Sequence, residues 1–248
     1  MAELPTASRS DQIPVIYQDE HLIAINKPEG LLVHRSEIDR RETRFALQML
    51  RDQIGRRVYP LHRLDKPTSG ILMFAFSSDT ARLMGQVITE GGLRKDYVAI
   101  VRGVTDEQGT IDYALKEQQD RLADAMASPS KPAQSAVTHY RRLAHCELDI
   151  SVGRYNTARY SLVALQPTTG RKHQLRRHLK HIYHPIVGDT THGDGKHNTM
   201  FRERINSHRL LLAATHIAFV HPYTEEHLSI VAPPTFGFLQ TANQIGLL

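Results

Sequence analysis

Short apolar stretches alternate with polar punctuation along the chain, and the spacing inside each stretch separates strands from helices. Residues 13–17 and 21–25 read as two short strands around a Gln-Asp-Glu turn, and Lys27-Pro28-Glu29-Gly30 breaks the second. Between 43 and 54, Ala46, Leu47, Leu50 and Ile54 recur at helical spacing, and Gly55 ends the run. Residues 71–76 are apolar without interruption, which predicts a strand covered on both faces. Ser78, followed by Asp79, offers an N-cap to a helix with Leu83 and Val87 inward and Gly91-Gly92 as its stop. Further strands are expected at 97–101, 136–143, 147–152, 161–165, 210–218 and 228–231, and further helices at 170–181 and 236–244. Residues 1–12 are polar and aperiodic and read as a loose tail, and 118–133 as a long loop or insertion. Most strands follow one another without a crossover helix. The pattern therefore predicts an α+β fold, a mostly antiparallel mixed sheet with flanking helices, in one domain over 13–248.

Composition narrows the function classes. The longest apolar run, 71–76, is far shorter than the ~20 residues of a membrane-spanning helix. Residues 1–10 carry no apolar core for a signal peptide, so a cytoplasmic protein without membrane contact is expected. A single cysteine, Cys146, excludes an internal disulfide and a cysteine-based zinc site. The net charge is only +5, yet residues 150–188 contain no Asp or Glu and carry Arg154, Arg159, Arg171, Lys172, Arg176, Arg177 and Lys180. That window alone holds +7, so the rest of the chain sums to −2. Such a face suits a polyanion, because Lys and Arg contacts to phosphates release condensed counterions.

The densest candidate chemistry is Leu61-His62-Arg63-Leu64-Asp65-Lys66-Pro67-Thr68-Ser69-Gly70. Asp65 lies between two cations, Arg63 and Lys66, on a turn bracketed by Pro67 and Gly70 and anchored by the apolar strand that follows. A carboxylate on a turn tied to a buried strand is well placed as a nucleophile or base.

This string resembles the active-site motif of the RluA-type RNA pseudouridine synthases. Two more of that family's motifs are matched downstream in order. Lys95-Asp96-Tyr97-Val98-Ala99 is similar to its Lys-x-Tyr-x-Ala segment, and the stretch from Leu165 to His178 to its third motif, continued by His184-Pro185-Ile186-Val187-Gly188-Asp189. Residues 39–45, 138–141 and 191–194 further resemble the branch that modifies uridine 65 of tRNA. No basic S4 module precedes Ile13, which favours tRNA over 23S ribosomal RNA, the alternative within the family.

The resemblance implies that Asp65 is the catalytic carboxylate and that Arg176 pairs with it. It implies that Tyr97 stacks on a flipped uracil and that Arg63 fills the place the nucleotide leaves. The isomerisation breaks N1–C1′, turns the base and rejoins it through C5. It is redox-neutral, so no cofactor is expected, and no Gly-x-Gly-x-x-Gly is present to hold a dinucleotide. Asp65 can serve by attacking the sugar or by removing a proton from C2′, and the sequence leaves both routes open. Within 171–181, Leu175 and Leu179 form an apolar pair facing the core, and Arg176 and Lys180 share another face. Arg171, Lys172, Arg177 and Lys180 are expected along the RNA path. A monomer with no obligate protein partner is the expectation for assembly.

Two other readings compete. His178, His181 and His184, with Asp189, His192 and Asp194, suggest a metal-dependent hydrolase; but no His-Glu-x-x-His or cysteine pair supports it, and Pro185 ends any helix that would align the trio. A non-catalytic RNA-binding protein accounts for the basic window and leaves Asp65 and Tyr97 without a purpose.

Overall fold

The computed structural model describes residues 12–34, 42–117 and 132–248. The proposed tail up to residue 11, the resemblance at 39–41 and nearly all of the expected loop at 118–133 lie outside the described residues. Among the described residues, ten strands form one sheet. They are β1 (Val15–Gln18), β2 (Leu22–Lys27), β3 (Tyr59–Pro60), β4 (Ser69–Ala75), β5 (Arg94–Arg102), β6 (Gln108–Asp112), β7 (Val137–Leu148), β8 (Ala158–Pro167), β9 (Leu212–Val220) and β10 (His227–Val231). The spatial order is β1-β2-β4-β9-β5-β8-β7-β6, with β10 on β9 and β3 on β4. Every strand pair is antiparallel except β4 with β9, which run parallel over Ser69–Ala213 and Gly70–Ala214. That seam joins the two halves of the sheet, and the turn carrying Asp65 leads directly into it.

Helices cover both faces: α1 (Ala46–Ile54), α2 (Ser78–Thr89), α3 (Gln174–His181), α4 (Gly195–Arg204) and α5 (Phe236–Gln244). Strand parity explains why. In β4 every residue is buried. Leu72 and Phe74 pack with Ala46 and Leu50 of α1, whereas Ile71, Met73 and Ala75 pack with Met84 of α2. In the other half, Ala99, Val101, Val163 and Leu165 meet Leu175 and Leu179 of α3, while Ile100, Tyr160 and Leu162 meet Phe201 of α4 and Phe238 of α5. Tyr97 packs against both the α1 and the α3 clusters, so it sits where they meet.

Several sequence expectations are corrected. Ser77, not Ser78, caps α2, its side chain accepting from the Thr80 amide, and Met84 rather than Leu83 is its fully buried residue. The first expected strand, 136–143, runs on to Leu148 as β7, past an irregularity between Arg142 and Ala144, and of the strand expected at 147–152 only Glu147 and Leu148 are in a strand. Helix α3 begins at Gln174 instead of 170, because His173 before it is left-handed (φ 54, ψ 28) and the Gln174 side chain accepts from the Arg171 amide and the Thr169 hydroxyl. β3, β6 and α4 were not expected. β6 buries a single apolar residue, Ile111, and α4 has no apolar stripe, burying Met200 and Phe201 behind an Asp194 N-cap.

Candidate active site

Asp65 sits on a turn closed by the Thr68 amide donating to the Asp65 carbonyl (3.0 Å). Gly70 does not bracket this turn; it is the second residue of β4 (φ 112), where a Cβ would lie 2.1 Å from the Ala214 carbonyl oxygen. Glycine is needed because β9 passes so close. Sheet register then carries the position across: Lys27, Gly70, Ala214, Tyr97 and Leu165 are paired in turn. Tyr97 is thereby placed two strands from the Asp65 turn although 32 positions separate them in the sequence. Burial first, then the charge of Asp65, raise the Tyr97 phenol above its ordinary pKa, so it stays neutral.

Arg176 closes the site from α3. Its Nη1 donates to Asp65 Oδ2 at 3.1 Å, while Nε and Nη2 donate to Asp189 Oδ2 and Oδ1 at 2.7 and 2.8 Å. A planar guanidinium is suited to hold one carboxylate with two donors and present a third to another. Burial opposes the Arg176 cation, but hydrogen bonds and charge from Asp189, and then Asp65, hold its pKa above the usual value. Asp189 is 1% exposed, and burial would neutralise it. The bond from Arg176 and the amides of His192 and Thr191, each 2.9 Å from Oδ1, instead keep it ionised. Its loop is locked in turn: Asn198 Nδ2 donates to the Asp189 carbonyl and Asn198 Oδ1 accepts from the Gly188 amide, both at 2.8 Å.

From the other side, Lys27 is fully buried and donates to the carbonyls of Leu31, Pro28 and Lys66 at 2.8, 2.9 and 3.3 Å, pinning the residue after Asp65. Burial pulls its pKa down to about 7 against the opposing pull of Glu29 and Asp65. Arg209 pairs with Glu29 (2.9 Å) and donates to Ser69 Oγ (2.7 Å), fixing the start of β4. His62, whose pKa burial lowers to about 4, accepts from the Met73 amide at 3.2 Å. His173 Nε2 stands 3.7 Å from Asp65 Oδ2, and its Nδ1 lies 3.0 Å from His192 Nε2.

The structure thus brings together Asp65, Arg176 and Tyr97. Arg63 is exposed two residues before Asp65. Arg171, Lys172 and Lys180 are exposed, and Arg177 is half-buried; Lys180, one turn beyond Arg176, stays outside the site. Asp189, His173, His192, Lys27 and Arg209 were not singled out for roles at this site from the sequence. His173 and Asp189 lay within the matched motif strings, and Asp189 and His192 were given a role only in the metal reading. The proposed metal cluster is dispersed: His178 bonds Thr138 and the Tyr113 carbonyl, His181 stacks on Tyr113, His184 bonds the Arg102 carbonyl, and Asp194 caps α4. Among the described residues no group of three His, Cys, Asp or Glu converges on a metal-sized position.

A carboxylate on the turn before a buried central strand, bonded by an arginine from a helix on the same face and flanked by a half-buried tyrosine, defines the class. The family model described as RNA pseudouridylate synthase matches residues 21–181, and the chain belongs to that family of isomerases. At the level of individual proteins, it is 55% identical over 221 residues to a protein of Vibrio parahaemolyticus named tRNA pseudouridine synthase C, covering 89% of this chain and 90% of the relative. A protein of the same name from Haemophilus ducreyi is 51% identical over 235 residues, covering 95% and 96%. Among solved structures, human RNA Pseudouridylate Synthase Domain Containing 4 superimposes with a TM-score of 0.70 at 26% identity, covering 94% of this chain and 93% of that one. No helix among the described residues is long and apolar enough to cross a membrane.

Proposed function

We propose that this protein converts uridine to pseudouridine in tRNA, at position 65 of the T arm, working in the cytoplasm as a monomer with residues 13–248 as one catalytic domain. The observation that carries the chemistry is the Asp65–Arg176 contact at 3.1 Å beside Tyr97. The tRNA assignment is supported by relatives named tRNA pseudouridine synthase C that span nearly the whole chain.

In this reading the uridine is flipped into the site and its ring stacks on Tyr97. Asp65 either attacks C1′ as a nucleophile or removes a proton from C2′; Arg176 keeps the carboxylate ionised and aimed in both routes. Asp189 acts through Arg176: with two of its oxygens occupied by the guanidinium, only one orientation of Nη1 is available to Asp65. Arg63 enters the space the base vacates, and Arg171, Lys172, Arg177 and Lys180 contact phosphates. Mapping pseudouridines across tRNA and ribosomal RNA after gene deletion tests the substrate. Loss at tRNA position 65 is expected, and loss confined to 23S ribosomal RNA overturns the assignment.

A further inference from the structure

The buried cations around the site are matched to oxygens. Lys27 has three carbonyls, Arg176 two carboxylates, and Arg209 the carboxylate of Glu29. Lys95 is the exception. It is half-buried on β5, two residues before Tyr97 and so about 7 Å along the strand from it. Its ammonium reaches the site side of the sheet, where a Cβ on Gly170, in the turn before α3, would lie 3.8 Å from Nζ. Among the described residues no hydrogen bond or ion pair satisfies that Nζ. Asp96, its neighbour in the chain, is engaged by Arg94 at 2.9 Å and by His216 at 2.6 Å.

A half-buried ammonium without a counter-charge is unfavourable, and the penalty is offset when an anion arrives. Burial lowers the Lys95 pKa, and no carboxylate is near enough to raise it again. His62, on the segment leading to Asp65, does not supply the missing charge. Its Nε2 accepts from the Met73 amide, and burial, then the Lys95 cation, lower its pKa to about 4, so the ring is neutral near pH 7. The space beside Tyr97 is therefore bordered by one uncompensated positive charge.

A lysine ammonium is a compact point charge, suited to a phosphate oxygen. Flipping turns a nucleotide about its own backbone, which brings the phosphates on either side of it to the mouth of the pocket. We propose that Lys95 is a phosphate-binding residue whose ammonium pairs with one of the two phosphodiesters flanking the flipped uridine. Arg171, Lys172 and Lys180 are exposed and can meet RNA in any conformation, whereas a half-buried Lys95 is reached only by a backbone that has been drawn inward. Its contact thus favours the flipped state over the stacked one. The inference deepens the tRNA uridine isomerisation proposed above and rests on it.

The test uses the full chain and tRNA carrying a single uncharged methylphosphonate on the 5′ or the 3′ side of the target uridine. Lys95→Met keeps the aliphatic stem and removes the charge. It should raise the half-saturating protein concentration in single-turnover assays by about 10- to 100-fold, as for losing a hydrogen bond to a charged group. The maximal rate should stay within a few-fold of wild type, and the salt slope of binding should fall by about 0.7 to 0.9. At one of the two positions the methylphosphonate should weaken wild-type binding to a similar extent and Lys95→Met no further, while Lys180→Ala remains sensitive to it. The melting temperature of Lys95→Met should not fall, because an unpaired cation has been removed. The proposal is overturned if the methylphosphonate weakens the wild type at neither position, or if its effect multiplies with that of Lys95→Met at both. A lowered maximal rate or melting temperature with the salt slope intact also overturns it, since Lys95 then serves the base or the fold. Wild-type protein that leaves tRNA uridine unmodified overturns the substrate reading instead.

Discussion

Arg176 and Lys180 lie one turn apart on α3, yet the fold treats them oppositely. Arg176 is buried and bonded to two carboxylates, whereas Lys180 remains exposed. Both come from the same acid-free window, so local composition does not distinguish them. The distinction is made by groups brought from elsewhere: Asp65 is 111 positions away and Asp189 is 13. Arg176 can be buried because its fork of donors meets ionised oxygens in good geometry, whereas Lys180 stays in water. In the function proposed above, the inner half of α3 would serve the chemistry and the outer half the electrostatic attraction of RNA.

The strongest way to break this comparison is at Asp65. Asp65→Asn should abolish pseudouridine formation while tRNA binding survives, as judged by product analysis and filter binding; near-normal turnover would remove Asp65 from the chemistry. Arg176→Ala strands the buried Asp189 and unpairs Asp65. A loss of folding stability of about 3–5 kcal/mol is expected from the buried Arg176–Asp189 pair, read as a lowered melting temperature, together with a strong loss of single-turnover pseudouridine formation. If only the salt dependence of binding changes, Arg176 is a phosphate contact like its neighbours. Gly70→Ala forces a Cβ into the β9 backbone, and denaturant unfolding should record a destabilisation of about 3 kcal/mol, at the upper end of ordinary overpacking.

Two histidines add a pH dependence to the inner region. Burial lowers the pKa of His62 and of His192 to about 4, so the folded state binds fewer protons than the unfolded state between about 4 and the ordinary value near 6.5. Their contribution to stability is fully present above 6.5 and is lost as pH falls toward 4. The slope approaches about 1.4 kcal/mol per pH unit for each group and is measurable by thermal melts across that range. The smallest effect belongs to the outer face. Lys180→Ala should reduce the salt slope of tRNA binding by about 0.7 to 0.9 and leave single-turnover chemistry intact.

Much of the fold was legible because hydrophobic periodicity is a local signal. The apolar run around β4, the helical spacing of α1 and the α5 boundaries all follow from residues within a few positions of each other. β6 and α4 escaped detection because each buries only one or two apolar residues, and the full length of β7 was missed because an irregularity disturbs the alternation. The site motif around Asp65 and the helix bearing Arg176 were also visible, as continuous strings of unusual composition.

Residue order alone determined most of the element types, the mostly antiparallel sheet, the basic window and Asp65 as a candidate carboxylate, and the resemblance of its motifs to a known family pointed to Tyr97 and Arg176. It could not assign Asp189 to orient Arg176, or Lys27 to pin the Asp65 turn, or bring His173 against Asp65. Those depend on the parallel seam between β4 and β9, on a left-handed backbone at one histidine, and on a loop folded back over α3. Each is a long-range or conformational fact. Hydrogen bonding and burial act between atoms in contact, and contact between distant positions exists only after the chain has closed.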